Sequence, residues 1–213
     1  MSMLVLQGAV EQGFIYALVA LGLYISFRTL DIADLTTDGT FTLGAAVSAV
    51  FTVQGQPLLG VVLAFFCGAL AGFVTALLQT KLGVQPILAG IITMTALYSV
   101  NLMVMGKPNI NFFKEKTLFT AAEAMPGGFG SLLQAAAITA VLCVLLVLFL
   151  RTQLGLSLRA TGDNRDMVSA SSINPAFTTT VGLCLSNAVV ALSGALIAQY
   201  QKFADNTLGT GMV

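Results

Sequence analysis

The uncharged runs of this chain constrain it more tightly than any motif. No Lys, Arg, Asp or Glu lies between Asp38 and Lys81, between Lys81 and Lys107, between Glu123 and Arg151, or between Asp166 and Lys202. A helix needs about 20 largely apolar residues to cross roughly 30 Å of hydrocarbon, and these runs supply them. The first run breaks at Gln54-Gly55-Gln56-Pro57, a polar Gly/Pro turn that lets two spans fold back on each other. Of all residues 57% are hydrophobic and only 8% charged, against roughly a quarter charged in a soluble domain, so a water-facing surface of normal size cannot be covered. The sequence therefore predicts an all-α, polytopic transmembrane bundle of about six spans, at roughly 9–27, 39–53, 58–80, 84–105, 132–150 and 175–199. The second is short for a crossing and must tilt, borrow residues from its neighbours, or sit enclosed among other helices.

Charge and rare residues narrow the function. Net charge is zero, which gives no clustered basic face for a nucleic acid. Histidine is absent, removing the commonest general base and metal ligand. Cys67, Cys143 and Cys184 sit singly in apolar stretches and read as packing residues rather than a disulfide framework or zinc site. Neither a catalytic nor a metal-ligating set emerges. The N-terminus lacks a basic leader and a small-residue cleavage site, so its apolar stretch reads as a first span.

Sidedness follows from the Lys/Arg bias of short loops. The loop with Arg151, Arg159 and Arg165 is assigned inside, which puts Arg28 and Lys81 inside and the N-terminus and the 107–131 segment outside. Lys107, Lys114 and Lys116 run against the rule there, accompanied by Glu115 and Glu123. Gly68-Ala-Leu-Ala-Gly72 is a stripe that lets helix backbones approach closely, within one chain or between two subunits. Tyr16, Tyr24, Tyr98 and Tyr200 are candidate interfacial anchors.

Two constellations could carry function. The first is Asp31, Asp34 and Asp38, followed by Thr40, between the first two spans. Ionisable groups near a membrane core are functional candidates because burying them is costly. Asp34 and Asp38 could share a helix face and hold a proton or a hard cation. The reading preferred over that one is an elbow in which Asp38 or a neighbouring Thr caps the second span, with Arg28 pairing its charge nearby. The second constellation is the polar run from Leu154 to Pro175. Here Asp163 has the chemistry of an N-cap, Asp166 falls in the first turn, and Met167 and Val168 follow, as in a short amphipathic helix lying on the membrane surface. It is either a docking element for a soluble partner, using Arg159, Asp163, Asn164, Arg165, Asp166, Met167 and Val168, or a solvated loop.

Three stretches carry a family resemblance. Gly13-Phe-Ile-Tyr-Ala-Leu-Val-Ala-Leu-Gly-Leu-Tyr-Ile-Ser-Phe-Arg28 with Ala33-Asp-Leu-Thr-Thr-Asp-Gly-Thr-Phe-Thr-Leu-Gly-Ala-Ala46 resembles the opening of branched-chain amino acid type ABC permeases, closest to the subfamily tied to tryptophan, tyrosine or unassigned substrates. Leu154-Gly-Leu-Ser-Leu-Arg-Ala-Thr-Gly-Asp-Asn resembles that family's cytoplasmic coupling segment, and Ala204-Asp-Asn-Thr-Leu-Gly-Thr-Gly-Met212 a motif that normally leads into further spans. The resemblance implies one permease domain over 1–213, stopping short of further C-terminal spans. It also implies a multi-pass protein of the plasma membrane that does no covalent chemistry and imports a small solute, an amino acid. Its partners would be cytoplasmic ATPase subunits, an extracytoplasmic solute-binding protein, a second permease copy and membrane lipid, with no nucleic acid. This chain would bind no cofactor, ATP and Mg²⁺ being held by the ATPase. The absence of a Gly-x-x-x-x-Gly-Lys-Ser/Thr run agrees with that division. The rivals are an ion-coupled secondary transporter using Asp31, Asp34 and Asp38 and an intramembrane enzyme, the latter disfavoured because no nucleophile is paired with a base.

Overall fold

The computed structural model describes residues 3–120 and 130–212. In chain order the elements are α1 (Met3–Leu23), a π-helical continuation (Tyr24–Thr29), α2 (Thr36–Val53), α3 (Pro57–Thr80), α4 (Pro86–Met105), β1 (Asn109–Asn111), α5 (Gly130–Arg151), α6 (Gln153–Asp163), α7 (Arg165–Ala170), α8 (Pro175–Gln201) and β2 (Phe203–Asp205). The helix starts follow local chemistry. α3, α4 and α8 each open on a proline, whose missing N–H would lack a helical partner there anyway and whose fixed φ suits a first turn. The α4 helix ends at Gly106 in the left-handed conformation, φ 64°, where glycine bears no steric penalty.

Among the described residues five helical stretches are long and apolar enough to cross a membrane: Val5–Thr29, Pro57–Thr80, Pro86–Met105, Gly130–Arg151 and Pro175–Gln201. The chain is thus an all-α membrane bundle, with five spans of this kind where about six were expected. The helix that differs is α2. It is rich in Thr, Gly and Ala, and 14 of its 18 residues are buried, packed by α3, α4 and α8. Of the three options for a short second span, enclosure is the one observed.

Close packing in the centre depends on small residues. A Cβ on Gly44 of α2 would overlap the Ala191 carbonyl of α8, and one on Gly194 of α8 would overlap the Phe41 carbonyl of α2. Where helices meet in lipid there is little hydrophobic drive between them, so this close backbone approach supplies the attraction. Gly68 and Gly72 of α3 do the same against Ala191 and Leu183 of α8; their stripe serves packing within the chain. Ile15, Leu18, Phe41, Val190 and Ile197 fill one part of the core and Ile25, Leu30, Leu158 and Leu183 another, with further clusters around Met105 and Phe112 and around Leu43 and Leu97.

The helix ends sort into two groups. At one end Ser131 meets Glu11, and β1 pairs antiparallel with β2, Asn109 opposite Asp205 and Asn111 opposite Phe203. At the other end Gly162 abuts the Thr29 carbonyl, and one cleft gathers Gln79, Thr80, Pro86, Arg165 and Pro175. This grouping agrees with the alternation expected from the sequence, in which Lys81 and Arg165 share a side opposite Asn109 and Ser131. Glu123, assigned to the outer segment, lies outside the described residues. Of the four tyrosines, Tyr24 and Tyr98 are exposed as anchors should be. Tyr16 instead stacks on Phe41 and Tyr200 bonds Glu11, because each lies on a helix face turned into the bundle. Cys143 faces outward, while Cys67 and Cys184 are half-buried; all three are free thiols.

Candidate functional site

The elbow between the first span and α2 is the most polar part of the bundle interior. Asp31 takes a left-handed backbone, φ 54°, which aspartate tolerates because its short side chain can bond locally. The chain then turns back inward and buries Asp34 completely. One carboxylate oxygen accepts from the Thr36 backbone N–H at 3.0 Å, the other from the Asn187 side-chain amide of α8 at 2.7 Å. The Asn187 oxygen accepts from the Thr40 hydroxyl at 2.9 Å, and Thr36 bonds the Thr75 hydroxyl of α3 at 2.8 Å. A buried carboxylate is tolerable only when hydrogen-bonded, and here the bonds to Thr75 and Asn187 also fasten the elbow and α2 to α3 and α8. The capping group is therefore Asp34, not Asp38 or a threonine as expected, because the turn places Asp34 two residues before the first N–H groups that lack helical partners. Its partners are Asn187 and Thr36, where Arg28 had been expected; Arg28 is exposed.

Asp38 does not share a face with Asp34. It lies in the first turn of α2, half-buried, and accepts from the Gly211 N–H at 3.0 Å. It lines a cavity of about 220 Å³ between α2, α4 and the segment after β2, together with Thr42, Tyr98, Asn101, Asn206 and Thr210. Thus Asp34 and Thr40 belong to an internal joint, whereas Asp38 lines this cavity.

The polar run after α5 is two helices rather than one. Thr152 caps α6, accepting from the Gly155 N–H, and Asn164 caps α7, accepting from the Met167 N–H at 3.0 Å. Asp163 is thus the last residue of α6, not an N-cap, since the run before it is already helical and Asn164 N–H closes on the Ala160 carbonyl. The pair is seated on the bundle: Leu158 is buried, and Thr161 bonds Thr178 of α8 at 2.8 Å. Arg159, Asp163, Asn164, Arg165 and Asp166 are exposed. The two apolar residues divide: Met167 is 69% exposed and Val168 only 3%, because Val168 anchors α7 to the body. Of these two, Met167 offers apolar surface outward, as Leu154 and Leu156 do on α6, beside a groove of about 250 Å³ that also includes Asn164, Ser171 and Ile173.

Several buried polar residues escaped the sequence reading. Glu11 of α1 accepts from Ser131 of α5 and Tyr200 of α8, each at 2.7 Å, joining three helices. As the lone acid of the first apolar stretch, it carried the signal applied to Asp34. Asn187, Gln199 and Asn101 are uncharged, and a search for charges passes over them. Gln199 accepts from the Leu118 N–H and donates to the Ser48 hydroxyl and the Pro57 carbonyl.

Residues 5–213 match the family model for the permease component of branched-chain amino acid transport systems. The chain is 39% identical over 201 residues to the tyrosine transport system permease protein of Clostridioides difficile (strain R20291), covering 94% of this chain and 66% of that protein. It is 35% identical over 204 residues to the uncharacterized protein RP368 of Rickettsia prowazekii (strain Madrid E), covering 96% and 71%. It is 29% identical over 194 residues to the galactofuranose transporter permease protein YtfT of Escherichia coli (strain K12), covering 89% and 54%. This chain therefore spans between about half and seven-tenths of the length of these relatives. No solved structure matches.

Proposed function

The chain belongs to the branched-chain amino acid permease family of ABC transporters and is a multi-pass protein of the plasma membrane, and on that premise we propose that it is the membrane-spanning permease subunit of an ATP-driven importer of an amino acid. In this reading a solute-binding protein delivers the substrate at the end carrying β1 and β2, and ATPase subunits grip the end carrying α6 and α7. A second permease copy completes the pathway. The chain's own contribution is alternating access without covalent chemistry. The observation that carries the reading is the α6–α7 pair: it is locked to α8 through Thr161 and Thr178 while presenting Met167, Arg159 and Arg165 outward. An element so built passes a push on its outer face to α8, and from there to the joint at Asn187.

The test is the complex reconstituted in vesicles with its ATPase and binding protein. Met167→Ala should cost about 1 to 2 kcal/mol of ATPase affinity, as truncating a central apolar anchor does. ATP-driven uptake should fall while folded yield holds. Replacing Arg159 or Arg165 should matter less, and that effect should fade as salt rises. Normal uptake by Met167→Ala with the ATPase still bound would reduce the pair to a solvated connection. Uptake driven by an ion gradient with no ATPase present would instead establish a secondary transporter. Sidedness is read separately: an impermeant thiol reagent outside the cell should label Asn109→Cys and spare Asn164→Cys.

A further inference from the structure

The cavity beside Asp38 holds the wrong number of hydrogen-bond acceptors for a packing defect. Asn101 is 1% exposed and Asn206 6% exposed, and both line it. Each commits its amide N–H to a backbone carbonyl, Asn101 to Gly39 at 3.3 Å and Asn206 to Tyr98 at 3.4 Å. A carbonyl can only accept, so the free end of each amide is its oxygen. Both of those oxygens are buried without a hydrogen-bond partner among the described residues. An acceptor buried without a donor is costly, and two such residues line one cavity beside a carboxylate, which points to a donor as its occupant. The Thr42 hydroxyl adds no donor, since it already donates to the Asp38 carbonyl and accepts from the Gly209 N–H. No Lys or Arg is among the lining residues.

We propose that this cavity binds the primary ammonium group of the transported solute, held by Asp38, Asn101 and Asn206. An ammonium brings three donors and no acceptor, which matches one carboxylate and two amide oxygens. Size argues against a bare metal ion: a water molecule's share of the liquid is about 30 Å³, and the cavity measures about 220 Å³. That space takes a cation with part of its carbon skeleton. Met94 and Tyr98 are among the lining residues such a skeleton would meet. The segment after β2 closes the site through Asn206, Thr210 and the Gly211 N–H on Asp38, so binding and the placement of that segment are linked. This inference rests on the permease reading and names the substrate class for it.

The test is protection of an introduced thiol in the purified complex. Thr95→Cys, exposed on the cavity wall, is placed in a background from which Cys67, Cys143 and Cys184 have been replaced, and its labelling by N-ethylmaleimide is timed. Tyramine should slow labelling and 4-ethylphenol, the same skeleton without the amine, should not. Asp38→Asn should weaken the tyramine effect by about tenfold or more, with the ligand-free labelling rate unchanged. Where Asp38→Asn lowers folded yield, Asn206→Leu carries the same test from outside the helices, since its backbone bond to Pro108 remains. Equal protection by 4-ethylphenol would overturn the proposal in favour of an apolar pocket, and equal protection by sodium chloride in favour of an inorganic cation site. No protection by tyramine while ATP-driven uptake is intact would overturn the site and leave the permease reading standing. Protection without any ATP-driven uptake would remove the permease reading instead.

Discussion

Helices α5 and α8 invert the rule that governs soluble proteins. The α5 span has a mean hydropathy of 2.7 and is 11% buried; the α8 span has a mean hydropathy of 2.0 and is 78% buried. In water the more apolar helix would be the core. In lipid, apolar side chains are no better off against protein than against acyl chains, and burial goes to the helix that can pack closely and bond across. The α8 helix qualifies through Gly182, Gly194, Ser186, Asn187, Ser193 and Gln199. Ser186 donates to the Gly22 carbonyl and Ser193 to the Ile15 carbonyl, each at 2.7 Å. The α5 helix makes two comparable bonds among the described residues, from Ser131 at its start to Glu11 at 2.7 Å and from Thr139 to the Phe14 carbonyl at 2.8 Å, and shows Val141, Val144, Leu145 and Leu148 to the outside.

The comparison breaks most decisively at close backbone contacts. Gly194→Val should remove about 3 kcal/mol or more, because neither side of the contact with Phe41 can move without displacing a helix. The readout is the yield of monodisperse protein in detergent and its melting temperature. Val144→Leu on α5 should stay within about 0.5 kcal/mol of the parent in the same assay. A larger loss there than at Gly194 would mean that α5 is covered in the assembled protein.

A second variant sharpens the role of polarity. Asn187→Leu takes away a donor from buried Asp34 and the acceptor for Thr40, and should cost about 1 to 3 kcal/mol, since a buried group loses its partner. Asp34→Asn should lower the melting temperature by less, as an amide keeps an acceptor for the Thr36 N–H without the burden of a charge. If Asp34→Asn left stability unchanged but altered dependence on an ion gradient, the elbow would be a coupling site rather than a joint.

The smallest effects should be single hydroxyl bonds. Ser193→Ala on α8 and Thr139→Val on α5 should each cost roughly 0.6 kcal/mol, the average for such bonds in a bilayer. Equality is the point of this pair: α8 is central because it makes many such contacts, not because any one is strong. A several-fold excess at Ser193, read from melting temperatures, would contradict that view.

Much of the fold was legible from charge spacing. Four of the five spans appear within a few residues of the uncharged runs that announced them and the first in the apolar stretch near the N-terminus, and the polar segment after Arg151 is a surface element as its composition required. The enclosure of α2 was one of three readings left open by its length. The site was less legible. Asp34 was picked out, but its partner Asn187 lies 153 residues away, and no local spacing joins them. Asn164 took the cap expected of Asp163 because the preceding helix runs further than its glycines suggest, and Val168 turned inward because α7 leans on the bundle.

Sequence alone determined that this chain crosses a membrane, where it turns, which family it belongs to and which segment is polar and lies at the surface, since these depend on composition and local order. Tertiary structure alone decided which helix is central, that Asp34 and Asp38 face different neighbours, and that Asp38, Asn101 and Asn206 line one cavity. The reason is physical. In lipid nearly every helix face is apolar, so hydropathy no longer separates inside from outside, and the separation passes to close backbone contacts and hydrogen bonds between residues far apart in the chain.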